Sequence, residues 1–541
     1  MPQHPGAEHS RAGRDIHRAA AGARARRGIS LTQSLRTRQL KHAYMTNENL
    51  TLDRFPTGIE GLDLITNGGL LGCGVYIVQG LPGSGKTILA NQICYAHIAA
   101  GGRAVYVTLL AESHTRMLQH LRPMSFFDES VIPDRLFYVS AFRMLEEEGL
   151  KGLLGLLRRE IRDQRISLLI LDGLVAAEES APTPRDFKKF IHELQSHAVA
   201  NGCTVLLLTS GAGAMASAEH TMVDGLIELS DERLDVRNER TLEVRKFRGS
   251  ASLRGKHSFR ITTQGIRIFP RIESWLSQPS TIDRGSGPRL TSGSPSLDQM
   301  LRGGVCSSSV TAVVGPTGAG KTLLSLQFLA QSSREEPGLM FSFYESPVRI
   351  QAKAAAIGHD VTPLLDNGHL QVIWHPQGEH LLDELGHELL RAVRARGVRR
   401  LAIDGLGGLL ESISNRDRIG RFMACLTNEL RAQGVATVLT VESAEIVGSA
   451  VRMPVAAMSA IVENLLFMRF VERDASLSRL ISISKMRNSD YDEHVRELFI
   501  TDRGLRAGEP LFGFEATFTG VAHATRPARR RPPARPPGKK R

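Results

Sequence analysis

The chain has 541 residues, 42% apolar and 23% charged, as expected for a soluble globular protein of two to four domains. Its net charge is +12, but aromatic residues make up only 5%, which argues against stacking platforms for single-stranded nucleic acid. No run of about 18 apolar residues occurs, so we expect no membrane-spanning helix. Five cysteines without metal or redox spacing predict reduced thiols in a cytoplasmic protein.

The positive charge lies at the two ends of the chain. Residues 1–44 carry nine Lys/Arg and two acids, and residues 525–541 carry eight Lys/Arg and no acid. Subtracting +7 and +8 from +12 leaves −3 for residues 45–524. Residues 1–45 and 521–541 are therefore predicted to be disordered extensions that could touch nucleic acid or other anionic partners. Met45 begins a more ordinary sequence, and translation could start there.

From the first extension onwards, short apolar runs alternate with a helical pattern. GVYIVQ (74–79) and RAVYVTLL (103–110) predict strands, and TILANQICYAHIAA (87–100) between them predicts a helix. SLLILD (167–172) and CTVLLLTS (203–210) predict two further strands. Continuous apolar strands separated by helices are typical of a parallel sheet that is buried on both faces, and they predict an α/β fold.

The second part of the chain repeats the first. GLPGSGKT (80–87) returns as GPTGAGKT (315–322), 235 positions later, and LILDGL (169–174) returns as LAIDGL (401–406). We therefore predict two tandem domains, 46–275 and 288–520, joined by a linker at 276–287 that is rich in Ser, Pro and Gly. Runs late in each copy, TLEVRKF and LISISKM, predict antiparallel strands added at the edge of each sheet.

Both repeats of GxxxxGK[ST] between a strand and a helix predict a P-loop, whose backbone amides surround the phosphates of ATP. Lys86 and Lys321 would reach the β- and γ-phosphates, and the hydroxyls of Thr87 and Thr322 would hold Mg²⁺. The predicted nucleotide-binding residues of the two loops are Gly80, Gly83, Ser84, Gly85, Lys86 and Thr87, then Gly315, Thr317, Gly318, Ala319, Gly320, Lys321 and Thr322.

Two pairs of acids are placed to complete these sites. Asp172 and Asp404 each end an apolar strand, at the sheet edge where α/β proteins bind ligands, which predicts a Walker B role toward Mg²⁺. Glu112 and Glu345 follow the strand after each P-loop helix. A carboxylate there could orient or deprotonate the oxygen that attacks the γ-phosphate, so both are candidate catalytic residues.

These motifs resemble the KaiC family within the RecA-like P-loop ATPases, over about residues 50–515. The resemblance also includes TGIEGLD before the first loop and KFRGS and KMRNS late in each copy. It implies two RecA-like domains, ATP between neighbouring subunits, and a homo-hexamer. It further implies that Lys246 and Arg248, and likewise Lys485 and Arg487, reach the ATP of the neighbouring subunit.

The resemblance also implies serine/threonine autophosphorylation in the C-terminal domain, in a signalling role with regulatory protein partners. The matching stretch, PVAAMSAIVENLLFM (454–468), has Ser459 and Ala460 where the family has an adjacent Ser-Thr pair, so Ser459 is the candidate phospho-acceptor. The family has two consecutive glutamates after the strand, whereas each copy here has a single one, Glu112 in the first and Glu345 in the second. Both departures weaken the kinase expectation more than the ATPase expectation.

Two other functions stay open at this point. The basic ends are consistent with a DNA-dependent RecA-like ATPase, although the slightly acidic body lacks a basic patch interleaved with aromatic residues. The chain could also be a scaffold in which ATP assembles the ring with negligible turnover. The sequence does not identify the partners, the pathway, a role in a circadian oscillator or the ring size.

Overall fold

The structure is a computed structural model in which a defined set of residues is described. These are residues 53–110, 114–210, 222–234, 237–282, 285, 287–376, 378–411, 413, 415–443, 458–473, 476–487, 489–511, 514–516 and 522–524. The predicted N-terminal extension lies outside them, as do Glu112 and all of the C-terminal extension except 522–524.

The strands divide into two sets. Those of the N-terminal half are β1 (Arg54–Phe55), β2 (Leu70–Leu71), β3 (Val75–Gly80), β4 (Ala104–Thr108), β5 (Leu136–Ser140), β6 (Leu168–Asp172), β7 (Thr204–Thr209), β8 (Gly225–Leu234), β9 (Arg237–Phe247), β10 (His257–Thr262) and β11 (Gly265–Phe269). Those of the C-terminal half are β12 (Arg289–Leu290), β13 (Val305–Cys306), β14 (Val310–Gly315), β15 (Gly338–Ser342), β16 (Leu370–Trp374), β17 (Arg400–Asp404), β18 (Ala436–Glu442), β19 (Asn464–Arg473), β20 (Ser476–Met486), β21 (Arg496–Thr501), β22 (Gly504–Pro510), β23 (Phe514–Ala516) and β24 (Ala522–Ala524). Strands β1–β11 of the first set correspond to β12–β22 of the second.

The helices alternate with the strands as the sequence predicted. Those before the linker are α1 (Glu60–Ile65), α2 (Lys86–Ala99), α3 (His114–Leu121), α4 (Phe142–Asp163), α5 (Leu174–Glu179), α6 (Pro184–Ala200) and α7 (Ile272–Trp275). Those after it are α8 (Pro295–Met300), α9 (Lys321–Leu329), α10 (Pro347–Ala356), α11 (Thr362–Asp366), α12 (Leu382–Arg396), α13 (Leu406–Glu411), α14 (Ile419–Ala432) and α15 (Met458–Ile461).

Each half is built on a nine-stranded sheet with the same topology. The strand order is β11-β10-β9-β8-β3-β7-β6-β4-β5 in the first and β22-β21-β20-β19-β14-β18-β17-β15-β16 in the second. The six strands from β8 to β5 and from β19 to β16 run parallel, whereas the remaining pairs are antiparallel. The predicted fold of two tandem, mostly parallel α/β domains is therefore confirmed, including the antiparallel strands at the sheet edge.

The parallel strands are buried on both faces, as their continuous apolar runs predicted. Alternate residues of β3 point to opposite sides, since successive side chains on a strand alternate. Tyr76 and Val78 belong to a core cluster with helix α2, whereas Val75 and Ile77 belong to one with helices α4 and α6. The C-terminal half has the same two-sided core, with helix α9 on one face and helices α12 and α14 on the other.

The two halves contact each other through helix α7 and a group of charged side chains. The guanidinium of Arg418 donates to Glu273 of α7 at 2.8 and 3.0 Å and to Asp383 of α12 at 2.9 and 3.0 Å. Arg260 of β10 donates to Glu384 at 2.7 Å. Separately, none of the described helices is both long enough and apolar enough to cross a lipid bilayer.

Candidate functional site

The two P-loops lie at the carboxyl ends of the central strands β3 and β14. Glycine is required where they leave the sheet, because a Cβ on Gly80 would lie 2.4 Å from the Leu229 carbonyl oxygen, and one on Gly315 would lie 2.5 Å from that of Met468. Gly85 and Gly320 precede helices α2 and α9 with φ values of 102° and 108°, a left-handed conformation that favours glycine. Neither helix start has a side-chain cap, which leaves its first amides available to an anion.

The two lysines of the loops are held against the loop backbone. Lys86 Nζ donates to the carbonyl oxygens of Gly80 at 2.7 Å and Leu81 at 3.0 Å. Lys321 Nζ makes the matching bonds to Gly315 and Pro316, both at 2.8 Å. Partial burial lowers the pKa of each lysine, and nearby carboxylates oppose this effect. Each ammonium group is therefore inside its loop, where phosphate oxygens can replace the carbonyl acceptors.

The intervening loop residues complete each turn. The Ser84 amide donates to the Leu81 carbonyl at 3.1 Å, and the Ala319 amide makes the equivalent bond to Pro316 at 3.2 Å. The Ser84 hydroxyl is buried without a hydrogen-bond partner in the described part of the chain. A Cβ on Gly83, where φ is 82°, would meet no atom within 4 Å. The unpartnered Ser84 hydroxyl and the open space beside Gly83 fit a loop that receives a phosphate group.

Each P-loop threonine faces the predicted Walker B aspartate. Thr322 Oγ1 lies 3.1 and 3.2 Å from the two carboxylate oxygens of Asp404. Thr87 Oγ1 lies 3.5 Å from Asp172 Oδ2. A hydroxyl and a carboxylate are the hard oxygen donors that suit Mg²⁺, so these residues fit the predicted metal. Asp404 is only 2% exposed, and burial raises the pKa of its carboxyl group.

Each aspartate also accepts a hydrogen bond that the sequence did not reveal. Tyr106 of β4, which is fully buried, donates its hydroxyl to Asp172 Oδ2 at 2.7 Å. In the C-terminal half, Thr440 of β18 donates to Asp404 Oδ1 at 2.7 Å. Knowledge of the strand registers would have indicated both donors, because Tyr106 lies two residues from the end of β4 and Thr440 lies two residues from the end of β18.

Two glutamates lie near the C-terminal P-loop. Glu345 forms an ion pair with Lys353 of α10, and its side chain is 19% exposed. Glu442, at the end of β18, accepts a hydrogen bond from the hydroxyl of Thr317. The sequence predicted Glu345 but missed Lys353 and Glu442. Glu112, the predicted N-terminal counterpart of Glu345, lies outside the described residues.

The family model described as "ATPase: KaiC" matches residues 55–273 and 290–511, which is most of the chain. This chain belongs to the KaiC family of ATPases. It is 27% identical over 492 residues to "Circadian clock oscillator protein KaiC" of Prochlorococcus marinus (strain MIT 9313), covering 88% of this chain and 97% of that protein. It is also 27% identical to the protein with that name from Thermostichus vulcanus, over 86% and 91% of the two chains.

The basic pairs that the resemblance to the KaiC family singled out lie far from the P-loops of their own half. Lys246 pairs with Leu226 of β8 near the amino end of that strand, and the Arg248 amide bonds to the Asp224 carbonyl at 2.7 Å. In the C-terminal half, Lys485 pairs with Leu465, and the Arg487 amide bonds to the Glu463 carbonyl at 3.1 Å. The strands end at Phe247 and Met486, so each arginine lies one residue beyond its strand.

Ser459, the candidate phospho-acceptor, lies on the four-residue helix α15 and is exposed. Lys485 Nζ donates to the Ser459 carbonyl and, at 2.7 Å, to that of Val462, and Arg487 donates to the Ala460 carbonyl at 3.1 Å. The C-terminal basic pair and Ser459 are therefore neighbours at the amino end of the parallel strands. His220 and Thr221, the equivalent positions of the N-terminal half, lie outside the described residues.

Proposed function

We propose that this KaiC-family ATPase hydrolyses ATP at the interfaces between subunits of a homo-hexameric ring. Each P-loop would bind one nucleotide and supply its lysine to the β- and γ-phosphates. Thr87 with Asp172, and Thr322 with Asp404, would hold Mg²⁺, which neutralises charge that develops on the transferring phosphoryl group. Changes of nucleotide state would then alter which regulatory protein the ring binds, giving a role in signal transduction.

The observation that carries the proposal is the position of the basic pairs. Arg248 is level with the start of β3, since its partner Asp224 bonds through its amide to the Val75 carbonyl at 2.8 Å. The P-loop begins at the other end of this six-residue strand, about 17 Å away at 3.3 Å per residue. Arg487 occupies the same position relative to β14, through Glu463 and Val310. Cations placed at that end are too far from the P-loop of their own half to contact its nucleotide, and this distance supports sites shared across an interface.

A complementation experiment tests this arrangement. One variant carries Lys86→Ala with Lys321→Ala and keeps its basic pairs, whereas the other keeps both P-loops and has Lys246, Arg248, Lys485 and Arg487 changed to Ala. We expect each variant to be inactive. An equal mixture should recover about a quarter of the wild-type rate, because about one in four randomly formed interfaces joins an intact P-loop to an intact basic pair. A mixture that stays inactive while native mass spectrometry shows mixed rings would contradict shared sites. A wild type no faster than the double-lysine variant would contradict ATP hydrolysis itself.

We further propose that the C-terminal half phosphorylates Ser459 from the ATP of a neighbouring subunit. The serine is exposed, and Lys485 and Arg487 beside it can neutralise the charge of an incoming phosphoryl group. Incubation with γ-labelled ATP, digestion and phosphosite mapping test this step. We expect label in the 454–468 peptide of the wild type and none there in Ser459→Ala or Lys321→Ala. Label that persists in Ser459→Ala would identify another acceptor.

A further inference from the structure

Glu442 projects from the strand next to the C-terminal P-loop. In the parallel pairing of β14 with β18, Glu442 is opposite Gly315, the first residue of the loop, and the amide of Ser443 bonds to the Gly315 carbonyl at 3.1 Å. The Glu442 side chain is exposed, and its carboxylate accepts a hydrogen bond from the hydroxyl of Thr317 within the loop. The carboxylate therefore faces the phosphate-binding turn.

The charge of Glu442 acts on the lysine that would bind the β- and γ-phosphates. Burial lowers the pKa of Lys321, and of the carboxylates that oppose this effect Glu442 is the larger influence, ahead of Asp404. A γ-phosphate bound to Lys321 would thus lie close to a carboxylate. Because Glu442 also contacts Thr317 of the same loop, the two anions would repel each other unless a hydrogen-bond donor lies between them, and the attacking water is such a donor.

The N-terminal P-loop lacks both members of this hydrogen bond. Its loop has Pro82 at the position of Thr317. Thr209 pairs with Gln79 at the end of β7, and the next residue, Ser210, has the position of Glu442. Otherwise the two sites share the lysine, the threonine and the Walker B aspartate. The joint difference indicates that Thr317 and Glu442 form a unit specific to the C-terminal site.

The other acids of the C-terminal site are engaged elsewhere. Asp404 is buried between Thr322 and Thr440, where it fits the Mg²⁺ role. Glu345 is paired with Lys353, which neutralises it. Tyr344 fills the preceding position, and its ring packs so closely on Gly405 that a Cβ there would lie 2.5 Å from it. Glu442 differs from Asp404, which is buried, and from Glu345, which is paired with Lys353, because it is exposed and contacts the turn of the P-loop at Thr317.

We infer that Glu442 is a catalytic residue of the C-terminal site that orients and deprotonates the attacking water; this rests on the ATP hydrolysis proposed above. The water oxygen forms a bond to the γ-phosphorus, and the bond from that phosphorus to the β-γ bridging oxygen breaks. The bridging oxygen leaves with the electron pair as part of ADP, and the proton of the water passes to the Glu442 carboxylate. Before ATP binds, the Thr317 hydroxyl holds the carboxylate in position.

The test uses the full-length chain with Lys86→Ala, so that turnover reports the C-terminal site. Adding Glu442→Gln is expected to lower kcat by about 10²–10⁴-fold with little change in KM for ATP, because general-base catalysis is worth that factor. Glu442→Asp, which keeps the carboxylate, is expected to restore part of the rate. Glu345→Gln is expected to lower kcat by less than Glu442→Gln does. The matched control is Glu493→Gln, which removes the same charge from an exposed residue outside the site.

Three outcomes would overturn the inference. In the first, kcat of Glu442→Gln stays within twofold of its Lys86→Ala parent. In the second, KM rises while kcat is kept, which would make Glu442 a binding residue. In the third, Glu442→Asp is as slow as Glu442→Gln although both bind a fluorescent ATP analogue normally. A Lys86→Ala parent no faster than Lys86→Ala with Lys321→Ala would instead refute the proposed hydrolysis at this site, and the inference with it.

Discussion

Besides the P-loop threonine, each predicted Walker B aspartate contacts a second hydroxyl group, which the two halves supply from different strands. Tyr106 comes from β4, where the C-terminal half has Met340, and Thr440 comes from β18, where the N-terminal half has Leu208. Each donor approaches the aspartate of its own half, Tyr106 to Asp172 and Thr440 to Asp404, from a neighbouring strand of the sheet. A carboxylate that must remain ionised beside Mg²⁺ benefits from such a donor, since hydrogen bonds to a charged group are worth about 1.5–3 kcal/mol.

Tyr106→Phe removes the donor from the N-terminal site and leaves the ring in the core. In a Lys321→Ala background, where only the N-terminal site is intact, we expect kcat/KM for Mg-ATP to fall by about 10-fold or more, because Asp172 loses a hydrogen bond to its charged form. Steady-state rates across a magnesium titration measure this loss. Tyr76→Phe is the matched control, because that buried hydroxyl bonds to the Leu71 backbone away from the P-loop. Equal rates for the two variants would contradict the role of Tyr106.

The site residues that the sequence could predict are those whose pattern is local along the chain. The P-loop lysines and threonines follow one another in a fixed spacing, and the aspartates end apolar strands, so a linear pattern was sufficient. Tyr106, Thr440 and Glu442 act across the sheet, and their contacts depend on which strands are neighbours and in what register. Lys353 meets Glu345 from a helix whose rotation is set by packing. Such partners are invisible until the strand order is known.

At the level of secondary-structure elements, the junction from each P-loop to its helix requires a left-handed backbone conformation. Residues that carry a Cβ adopt this conformation only with strain. Gly85 and Gly320 occupy the left-handed region immediately before helices α2 and α9. The surroundings of the two differ. A Cβ on Gly85 would come within 2.9 Å of the Ile261 side chain, whereas one on Gly320 would stay 3.5 Å from Ile500 and Leu505. A substitution at Gly320 therefore tests the need for a left-handed backbone conformation without adding a steric clash with neighbouring side chains.

Gly320→Ala is expected to lower the free energy of unfolding by about 1–3 kcal/mol and to weaken ATP binding at the C-terminal site, because alanine is strained at a φ of 108°. Denaturant titration and fluorescent-nucleotide binding in a Lys86→Ala background measure the two effects. Gly155→Ala, within helix α4 and with no atom near its Cβ, is the control, and it should be neutral or stabilising by about 0.5–1 kcal/mol. A Gly320→Ala variant as stable as Gly155→Ala would show that the turn relaxes without strain.

The central parallel strands of the first sheet could be anticipated from the sequence because they are continuous apolar runs. The parallel strands β3, β4, β6 and β7 and the late strand β9 coincide with predicted runs. The two-residue strands β1 and β2 could not be found, since two residues have no periodicity and their pairing depends on a long-range contact. Likewise, nothing in the linear pattern indicated that Arg418 would join Glu273 and Asp383.

At the scale of the molecule, Arg418 links the two halves by ion pairs with Glu273 and Asp383, and the pKa values of these two carboxyl groups are shifted in opposite directions. Burial raises the pKa of Glu273, but hydrogen bonds and charge from Arg418 outweigh this and leave it below its usual value. Asp383 is 1% exposed, and its burial raises the pKa to about 6 in spite of the same guanidinium. The folded chain therefore binds a proton at Asp383 more readily than the unfolded chain does. Its contribution to stability is fully present below about pH 4 and is lost as the pH rises through 6.

Asp383→Asn removes this titration and keeps an oxygen that can accept the Ile272 amide, which now bonds to Asp383 Oδ1 at 3.1 Å. Because asparagine stays neutral, the free energy of unfolding of the variant relative to the wild type should increase by up to about 3 kcal/mol between pH 4 and pH 7. Urea unfolding at intervals of one pH unit measures this slope, with Asp417→Asn, an exposed aspartate beside Arg418, as the baseline. A difference that is constant over this range would mean that Arg418 keeps Asp383 ionised throughout, and that the contact between the halves responds to salt rather than to protons.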